Sequence, residues 1–197
     1  MSLVTDLPAI FDQFSEARQK GFLTVMDLKE RGIPLVGTYC TFMPQEIPMA
    51  AGAVVVSLCS TSDETIEEAE KYLPRNLCPL IKSSYGFGKT DKCPYFYFSD
   101  LVVGETTCDG KKKMYEYMAE FKAVQVMQLP NSASDAASRA LWRSEILRLQ
   151  SALEQQFNCT ISEQDLRAAI TLKNRERAAL SSFYRLGPVS YTHLRAH

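Results

Sequence analysis

Four short apolar runs, separated by segments with helical periodicity, constrain this chain more than any other feature of its sequence. The runs are Pro34–Tyr39, Ala53–Leu58, Leu101–Gly104 and Ala123–Met127. Ala53–Leu58 is apolar at successive positions, which is typical of a parallel strand buried on both faces. Because strands that alternate with helices form parallel sheets, the pattern predicts an α/β fold with a sheet of about four strands and flanking helices.

The segments between and after these runs supply the predicted helices. They lie at residues 8–31 (one or two helices around Gly21), 44–51, 62–73, 75–88, 111–121, 141–157 and 162–185. Asp109 is expected to cap the helix at 111–121. The aromatic residues 95–98 are expected to pack around a loop. The predicted architecture is a Rossmann-like or flavodoxin-like domain followed by a helical segment.

The chain divides into four parts by composition and pattern. Residues 1–32 are N-terminal helices, residues 33–130 an α/β domain, and residues 131–187 a helical segment. Residues 188–197 contain both histidines, show no helical period and follow a Gly-Pro step. They resemble translated adaptor sequence, so we expect a non-native tail there.

Composition limits the classes of function. The chain is 46% hydrophobic with a formal net charge of -1, which gives no support for binding to nucleic acid or to a membrane surface. No apolar run approaches the roughly 20 residues of a membrane span, and the N-terminus lacks the pattern of a secretory signal. Six cysteines without such a signal predict a cytoplasmic protein whose thiols are reduced.

Three cysteines are candidate ligands. Cys40 and Cys108 directly follow predicted strands, so both fall at the carboxyl edge of the sheet, where α/β proteins bind ligands. Cys78 lies near a helix start, where the helix dipole favours a thiolate. No histidine precedes His193, which favours sulfur-only ligation. Converging thiolates can hold an iron–sulfur cluster, but spacing alone is weak support because no C-x-x-C pair is present.

The remaining candidates are more ambiguous. Cys59 ends an apolar strand and is expected in the core, and Cys159 is expected to be incidental. Cys93 is as consistent with a ligand as with a structural residue. Glu46 is by default an exposed helical residue, but it lies close enough in sequence to the first cysteine for an active-site role. Lys111–Lys113 is expected to be a solvated face, with contact to an acidic partner or a coenzyme A phosphate as the alternative.

Three local motifs carry a family resemblance. They are G-x-Y-C-x-x-x-P-x-E at residues 37–46, L-C-P-L-I-K at residues 77–82 and E-T-T-C-D-G-K-K at residues 105–112. Together they resemble the 2-hydroxyacyl-CoA dehydratase component D family, whose wider group includes 2-hydroxyglutaryl-CoA dehydratase and benzoyl-CoA reductase subunits. The nearest branch is that of the double-cubane-cluster-containing anaerobic reductases.

The resemblance implies an iron–sulfur enzyme of anaerobic metabolism. A separate ATP-hydrolysing iron–sulfur activator protein supplies such enzymes with low-potential electrons. The dehydratases eliminate water from 2-hydroxyacyl-CoA through a ketyl radical, whereas the double-cubane branch reduces small substrates. Cys40, Cys78 and Cys108 correspond to cluster ligands of a 4Fe-4S or double-cubane 8Fe-9S cluster, and Glu46 corresponds to an active-site acid. Because Cys40 adds a thiol to the usual pair, the double-cubane reductase is expected ahead of the dehydratase.

The resemblance also implies that part of the protein is missing. Family members are about twice this length, with further ligand cysteines in a C-terminal half, so we expect an N-terminal fragment that is inactive alone. The full-length protein is expected to be a dimer that acts on a small molecule or an acyl-CoA. The alternatives are a non-catalytic electron-transfer or metal-binding module and a plain α/β binding protein with core cysteines.

Overall fold

A four-stranded parallel sheet forms the centre of the protein in the computed structural model, which describes residues 10–194. The strands are β1 (Leu35–Thr38), β2 (Val54–Ser57), β3 (Leu101–Glu105) and β4 (Val124–Met127). Their order is β2-β1-β3-β4, and every neighbouring pair is parallel. The predicted α/β fold is confirmed, and this strand order is the one with which a flavodoxin-like sheet begins.

Eight helices flank and follow the sheet within the described residues. They are α1 (Ile10–Glu30), α2 (Glu46–Ala50), α3 (Ile66–Ala69), α4 (Pro79–Lys89), α5 (Pro94–Phe98), α6 (Asp109–Met118), α7 (Ala136–Phe157) and α8 (Glu163–Leu194). Over residues 10–194, no helix has both the length and the apolar character that a membrane span requires.

The two faces of the sheet carry separate cores. One core joins the sheet to α3, α4, α5 and α6; its fully buried side chains include Tyr39, Tyr85, Val102, Met114 and Tyr115. The other joins the sheet to α2, α7 and the start of α8; its buried side chains include Val36, Met43, Val103, Leu149 and Leu153. Helices on both faces explain why the central strands are apolar at successive positions.

The position of β2 corrects one prediction from the sequence. β2 is an edge strand, with Val54–Val56 half-buried and Ser57 exposed, rather than a strand buried on both faces. Cys59, predicted to be in the core, follows the end of this edge strand and is exposed. Strand order depends on contacts far apart in sequence, and an apolar run does not reveal it.

Several helix boundaries also differ from the prediction. α4 begins at Pro79 rather than near residue 75, because proline is favoured in the first turn of a helix. α3 is a single short turn that ends well before residue 73. The aromatic segment at residues 95–98 forms most of α5, which has too few residues to show a helical period. α8, which was expected to end near residue 185, continues through Pro188 to Leu194.

α1 is one helix rather than two within its described part. Gly21 does not interrupt it, and a Cβ at that position would lie 2.9 Å from the hydroxyl of Tyr95 in α5. Residues 8 and 9 of the predicted helix lie outside the described residues.

Candidate functional site

The candidate site lies at the point where the strand order reverses. β1 and β3 are central neighbours, and Cys40 and Cys108 follow their carboxyl ends. The backbone N–H of Tyr39 donates to the carbonyl of Val103 at 3.1 Å, which extends the pairing of the two strands up to this edge. In open α/β sheets, such a reversal leaves a crevice in which ligands bind. The predicted location of Cys40 and Cys108 is therefore observed.

Cys40 has an unusual backbone and a specific partner. Its φ angle of 71° lies in the left-handed region, which residues other than glycine rarely adopt. Its half-buried Sγ accepts a hydrogen bond from Lys111 Nζ and lies 3.5 Å from Thr107 Oγ1. Thr107 precedes Cys108 directly and Lys111 follows it by three residues, so these contacts attach the loop after β1 to the loop after β3 and to the first turn of α6.

Lys111 is a functional candidate that the sequence prediction placed in a solvated face. Burial by itself would lower the pKa of the Lys111 ammonium. The hydrogen bond to Cys40, together with the electrostatic influence of the cysteine sulfurs at this edge, outweighs burial and raises that pKa above its usual value. The ammonium therefore lies beside Cys40 and in the vicinity of Cys108. The sequence signal was its position three residues after Cys108, one helical turn along α6.

Cys78 and Cys108 occupy equivalent positions on two helices. Each is the N-cap residue, Cys78 of α4 and Cys108 of α6, and neither side chain bonds to its own helix. Both thiols are exposed. The N-terminal end of a helix carries a partial positive charge, and both thiols lie at such an end. The predicted position of Cys78 at a helix start is observed, whereas Asp109, predicted to cap α6, is instead the first residue inside that helix.

The N-terminal ends of α4 and α6, which carry Cys78 and Cys108, are neighbours. Gly110 of α6 packs so closely on α4 that a Cβ there would lie 2.7 Å from Ile81 Cδ1 and 2.9 Å from Leu77 Cδ1. Leu77 directly precedes Cys78, and Gly110 follows Cys108 by two residues. The glycine therefore allows the helix ends that carry the two exposed thiols to approach each other.

The structure does not bring the predicted ligands into one coordination sphere. In the described part of the chain, no three histidine, cysteine, aspartate or glutamate side chains lie close enough to hold a metal ion together. Cys40 and Cys108 share the vicinity of Lys111, and Cys78 is linked to Cys108 through the packing of Gly110. The role of the three cysteines as ligands stays a prediction.

Glu46, the predicted acidic residue, is buried and faces the C-terminal helix. It is the first residue of α2, and its carboxylate accepts a hydrogen bond from Arg177 of α8. Burial by itself would raise the pKa of Glu46. The Arg177 hydrogen bond and the positive charges of Arg177 and Lys173 outweigh burial, so that the pKa lies below its usual value. Glu46 is therefore held as a carboxylate.

Glu105 is a second acidic residue at this edge, and the sequence prediction assigned it no role of its own. It ends β3 and is fully buried. One carboxyl oxygen accepts a hydrogen bond from the backbone N–H of Met43, while Oε2 has no partner within the described structure. Burial raises its pKa above the usual value. The sequence offered one signal for Glu105: it is an acidic residue at the end of an apolar strand, three residues before Cys108.

The other cysteines lie away from this group. Cys93 is the N-cap of α5, and its Sγ accepts a hydrogen bond from the N–H of Phe96 at 3.4 Å. Burial raises the pKa of the Cys93 thiol. Cys59 and Cys93 both line a cavity of about 440 Å³ beside the end of β2. Cys159 lies half-buried between α7 and α8.

Comparison with known proteins identifies relatives of about twice this length. The chain is 85% identical over 190 residues to a protein of Escherichia coli (strain K12) named "Putative dehydratase subunit YjiM", covering 96% of this chain and 50% of that protein. It is 24% identical over 181 residues to the lactoyl-CoA dehydratase subunit beta of Anaerotignum propionicum, covering 90% of this chain and 47% of that subunit. The chain thus spans about half the length of the curated relatives it matches.

A family profile gives the broader assignment. The profile described as "2-hydroxyglutaryl-CoA dehydratase, D-component" matches residues 40–196, which is most of the chain. The match begins at Cys40 and includes all three motifs' cysteines. The resemblance predicted from those motifs is thereby confirmed, and the chain belongs to the 2-hydroxyglutaryl-CoA dehydratase D-component family.

Proposed function

We propose that this chain supplies thiolate ligands to an iron–sulfur cluster in an enzyme of anaerobic metabolism. The observation that carries the proposal is the pair of exposed thiols, Cys78 and Cys108, at two neighbouring helix N-termini. Both thiols are free of hydrogen bonds to their own helices, and both lie where negative charge is favoured. Cysteine thiolates are the usual ligands of iron–sulfur clusters.

Cysteine thiols are the type of ligand that such a cluster requires. We assign Cys40 as the third of them, after Cys78 and Cys108. Cys40 follows β1 as Cys108 follows β3, and the left-handed backbone at Cys40 is a strained conformation of the type found at functional sites. Lys111 donates a hydrogen bond to this sulfur and places a positive charge beside it. A bound cluster would supply low-potential one-electron transfer, and a 4Fe-4S cubane takes about four ligands, one more than these three.

Two reactions are compatible with this cluster. The names of both relatives favour a dehydratase subunit, and the name of the second, a lactoyl-CoA dehydratase subunit, favours elimination of water from a 2-hydroxyacyl-CoA. A reductase of small substrates with a double-cubane 8Fe-9S cluster is the second candidate. The specific support for the second is Cys40, because it adds a thiol beyond the pair at the helix N-termini. Either enzyme would take its electrons from an ATP-hydrolysing iron–sulfur activator protein and would act as a dimer.

Glu46 is the proposed acidic residue of the same active site. Because Arg177 holds it as a carboxylate, Glu46 would contribute a negative charge or accept a proton rather than donate one. The groove in which it lies is also lined by Phe42 and Met43, which follow Cys40 closely in sequence. This proximity is the support for placing Glu46 and Cys40 in one site.

The test is the iron and sulfide content after anaerobic reconstitution. It is measured on the 197-residue chain and, in parallel, on the full-length E. coli relative. About four irons per chain of the relative would support the dehydratase, and about eight would support the double cubane. If neither protein binds iron with sulfide, the proposal is wrong.

Three variants of the chain assign the ligands. Cys78→Ser and Cys108→Ser are each expected to lower the bound iron and the visible absorption of the reconstituted chain. Cys159→Ser is the matched control, since Cys159 lies between α7 and α8 and should leave iron binding unchanged. Equal iron binding in all three variants would contradict the ligand assignment.

A further inference from the structure

Another cavity lies at the carboxyl end of β4, on the α7 side of the sheet. It has a volume of about 610 Å³, within the range of small-molecule sites. Its apolar wall comprises Phe42, Leu129, Pro130, Trp142 and Ile146. The mixture of aromatic and aliphatic side chains is typical of pockets that bury the apolar body of a ligand.

The charge of this cavity is unbalanced. Arg139 and Arg143 line it, and none of its lining residues is aspartate or glutamate. Among the side chains that the structure describes, Arg143 has no ion-pair or hydrogen-bond partner, and Arg139 donates from its side chain only to the carbonyl of Ser134, at 2.6 Å. By contrast, Arg148 of the same helix is paired with Glu145.

In two other cavities, the charged lining residues already form ion pairs. The groove beside Glu46 contains the ion pairs Arg177–Glu46 and Lys173–Glu176, and the cavity beside β2 contains Lys92, which is paired with Glu64. Two guanidinium groups without an acidic partner at an apolar cavity complement an anion, because arginine forms bidentate hydrogen bonds with carboxylates and phosphates.

We propose that this cavity binds an amphiphilic anion: a ligand with an apolar body and a carboxylate or phosphate group. The apolar body contacts Trp142 and Ile146, and Arg143 binds the anionic group with help from Arg139. Phe42, two residues after Cys40, forms part of the wall, so a bound ligand lies beside the Cys40 loop. As a substrate site the cavity rests on the proposed function, whereas binding can be tested on protein without iron.

The test uses the single tryptophan of the chain, Trp142, as the reporter. Iron-free chain is titrated with hexyl phosphate, hexanoate and hexanol while tryptophan fluorescence is followed, and calorimetry gives an independent dissociation constant. At least one anion is expected to bind about tenfold or more tightly than hexanol, since a charge-assisted hydrogen bond contributes about that factor or more. The preferred anion then distinguishes a phosphate ligand from a carboxylate ligand.

Two matched variants test the role of the arginine. Arg143→Gln is expected to weaken anion binding about tenfold and to leave hexanol binding unchanged. Arg175→Gln, an exposed arginine on α8, is the control and should change neither. Binding of hexanol as tight as that of both anions, or unchanged anion binding in Arg143→Gln, would overturn the proposal. Since no iron is present, these results do not depend on the cluster experiment.

Discussion

The ammonium of Lys111 donates a hydrogen bond to the sulfur of Cys40 across the point where the strand order reverses. The two residues are 71 positions apart in sequence. Lys111 is in the first turn of α6 and Cys40 is in the loop after β1, so this one contact joins that loop to the start of the helix that follows Cys108. A structural role for this contact can be measured independently of any cluster.

A double-mutant cycle measures the contact. Lys111→Met and Cys40→Ala are each expected to destabilise the iron-free chain, and together they should cost less than the sum of the single changes. The expected coupling is about 1 kcal/mol, the usual net contribution of one hydrogen bond. It is measured by urea unfolding under reducing, oxygen-free conditions.

The neighbouring lysine gives the control for this cycle. Lys112 is exposed and bonds to Asp109 rather than to Cys40. Lys112→Met should therefore be additive with Cys40→Ala to within about 0.5 kcal/mol. If Lys111→Met proves equally additive, the contact contributes nothing to stability.

The backbone of Cys40 gives a second prediction. A left-handed φ costs an L-residue about 1–2 kcal/mol relative to glycine, so Cys40→Gly should unfold at a higher urea concentration than Cys40→Ala. Both variants lose the thiol and the Lys111 contact, so they differ mainly in the free-energy cost of the left-handed backbone conformation at position 40. Chemical unfolding of the two variants provides the measurement.

Cys108 is the matched position for this comparison. Its φ of -157° and ψ of 161° are extended, so glycine there should be no more stable than alanine. If glycine is more stable than alanine at position 40 but not at position 108, the chain carries backbone strain at Cys40. The same sign at both positions would refute the assigned strain.

The sequence predicted the features of the site that depend on local pattern. The apolar runs ending at Tyr39 and Gly104 locate β1 and β3, and those strands place Cys40 and Cys108 at the carboxyl edge. A proline directly after Cys78 is a local signal for a helix start, which the structure places there. These predictions succeeded because neighbouring residues determine them.

Other features depend on contacts between distant segments. The edge position of β2, which exposes Cys59, follows from the strand order rather than from the Val54–Val56 run. Lys111 has the same local surroundings as Lys112, yet only Lys111 contacts Cys40. The salt bridge between Glu46 and Arg177 joins positions 131 residues apart, and no local pattern could reveal it.

Gly110 provides a third prediction, because it controls how closely α4 and α6 approach. Glycine to alanine inside a helix normally stabilises a protein by about 0.5–1 kcal/mol. Here the new Cβ would meet the terminal methyl groups of Ile81 and Leu77 at less than 3.0 Å, which costs about 1–3 kcal/mol unless they shift. After subtraction of the helix gain, Gly110→Ala is expected to destabilise the chain by up to about 2 kcal/mol. The displaced helix ends should also reduce iron bound by Cys78 and Cys108 after reconstitution.

A compensating variant tests the cause. Ile81→Val deletes the Cδ1 atom that lies nearest the new Cβ, so the double variant Gly110→Ala/Ile81→Val should recover part of the stability and of the bound iron. Unfolding free energy and iron per chain are measured on the same samples. An increase in stability in the single variant Gly110→Ala would show that the helices are not in close contact at this point.

The ion pair between Glu46 and Arg177 predicts a pH dependence of stability. Burial opposes ionisation of Glu46, but Arg177 and Lys173 outweigh it, and its pKa in the folded chain lies below the usual 4.5. The ion pair therefore stabilises the fold above about pH 4.5, and this contribution is lost as the pH falls through the folded pKa. Arg177→Met should cost about 1 kcal/mol at pH 7 and progressively less below pH 4.5.

A second substitution assigns this dependence to Glu46. Glu176, bonded to Lys173 on the same helix, is the other acid near the pair, and it remains in every variant. In a Glu46→Gln background, the cost of Arg177→Met should no longer change with pH, because the titrating carboxyl is gone. Urea unfolding at pH 7 and at pH 4 provides the measurement. A pH dependence that persists in that background would assign the effect to Glu176 and would leave Glu46 without the role in stability that its contact with Arg177 predicts.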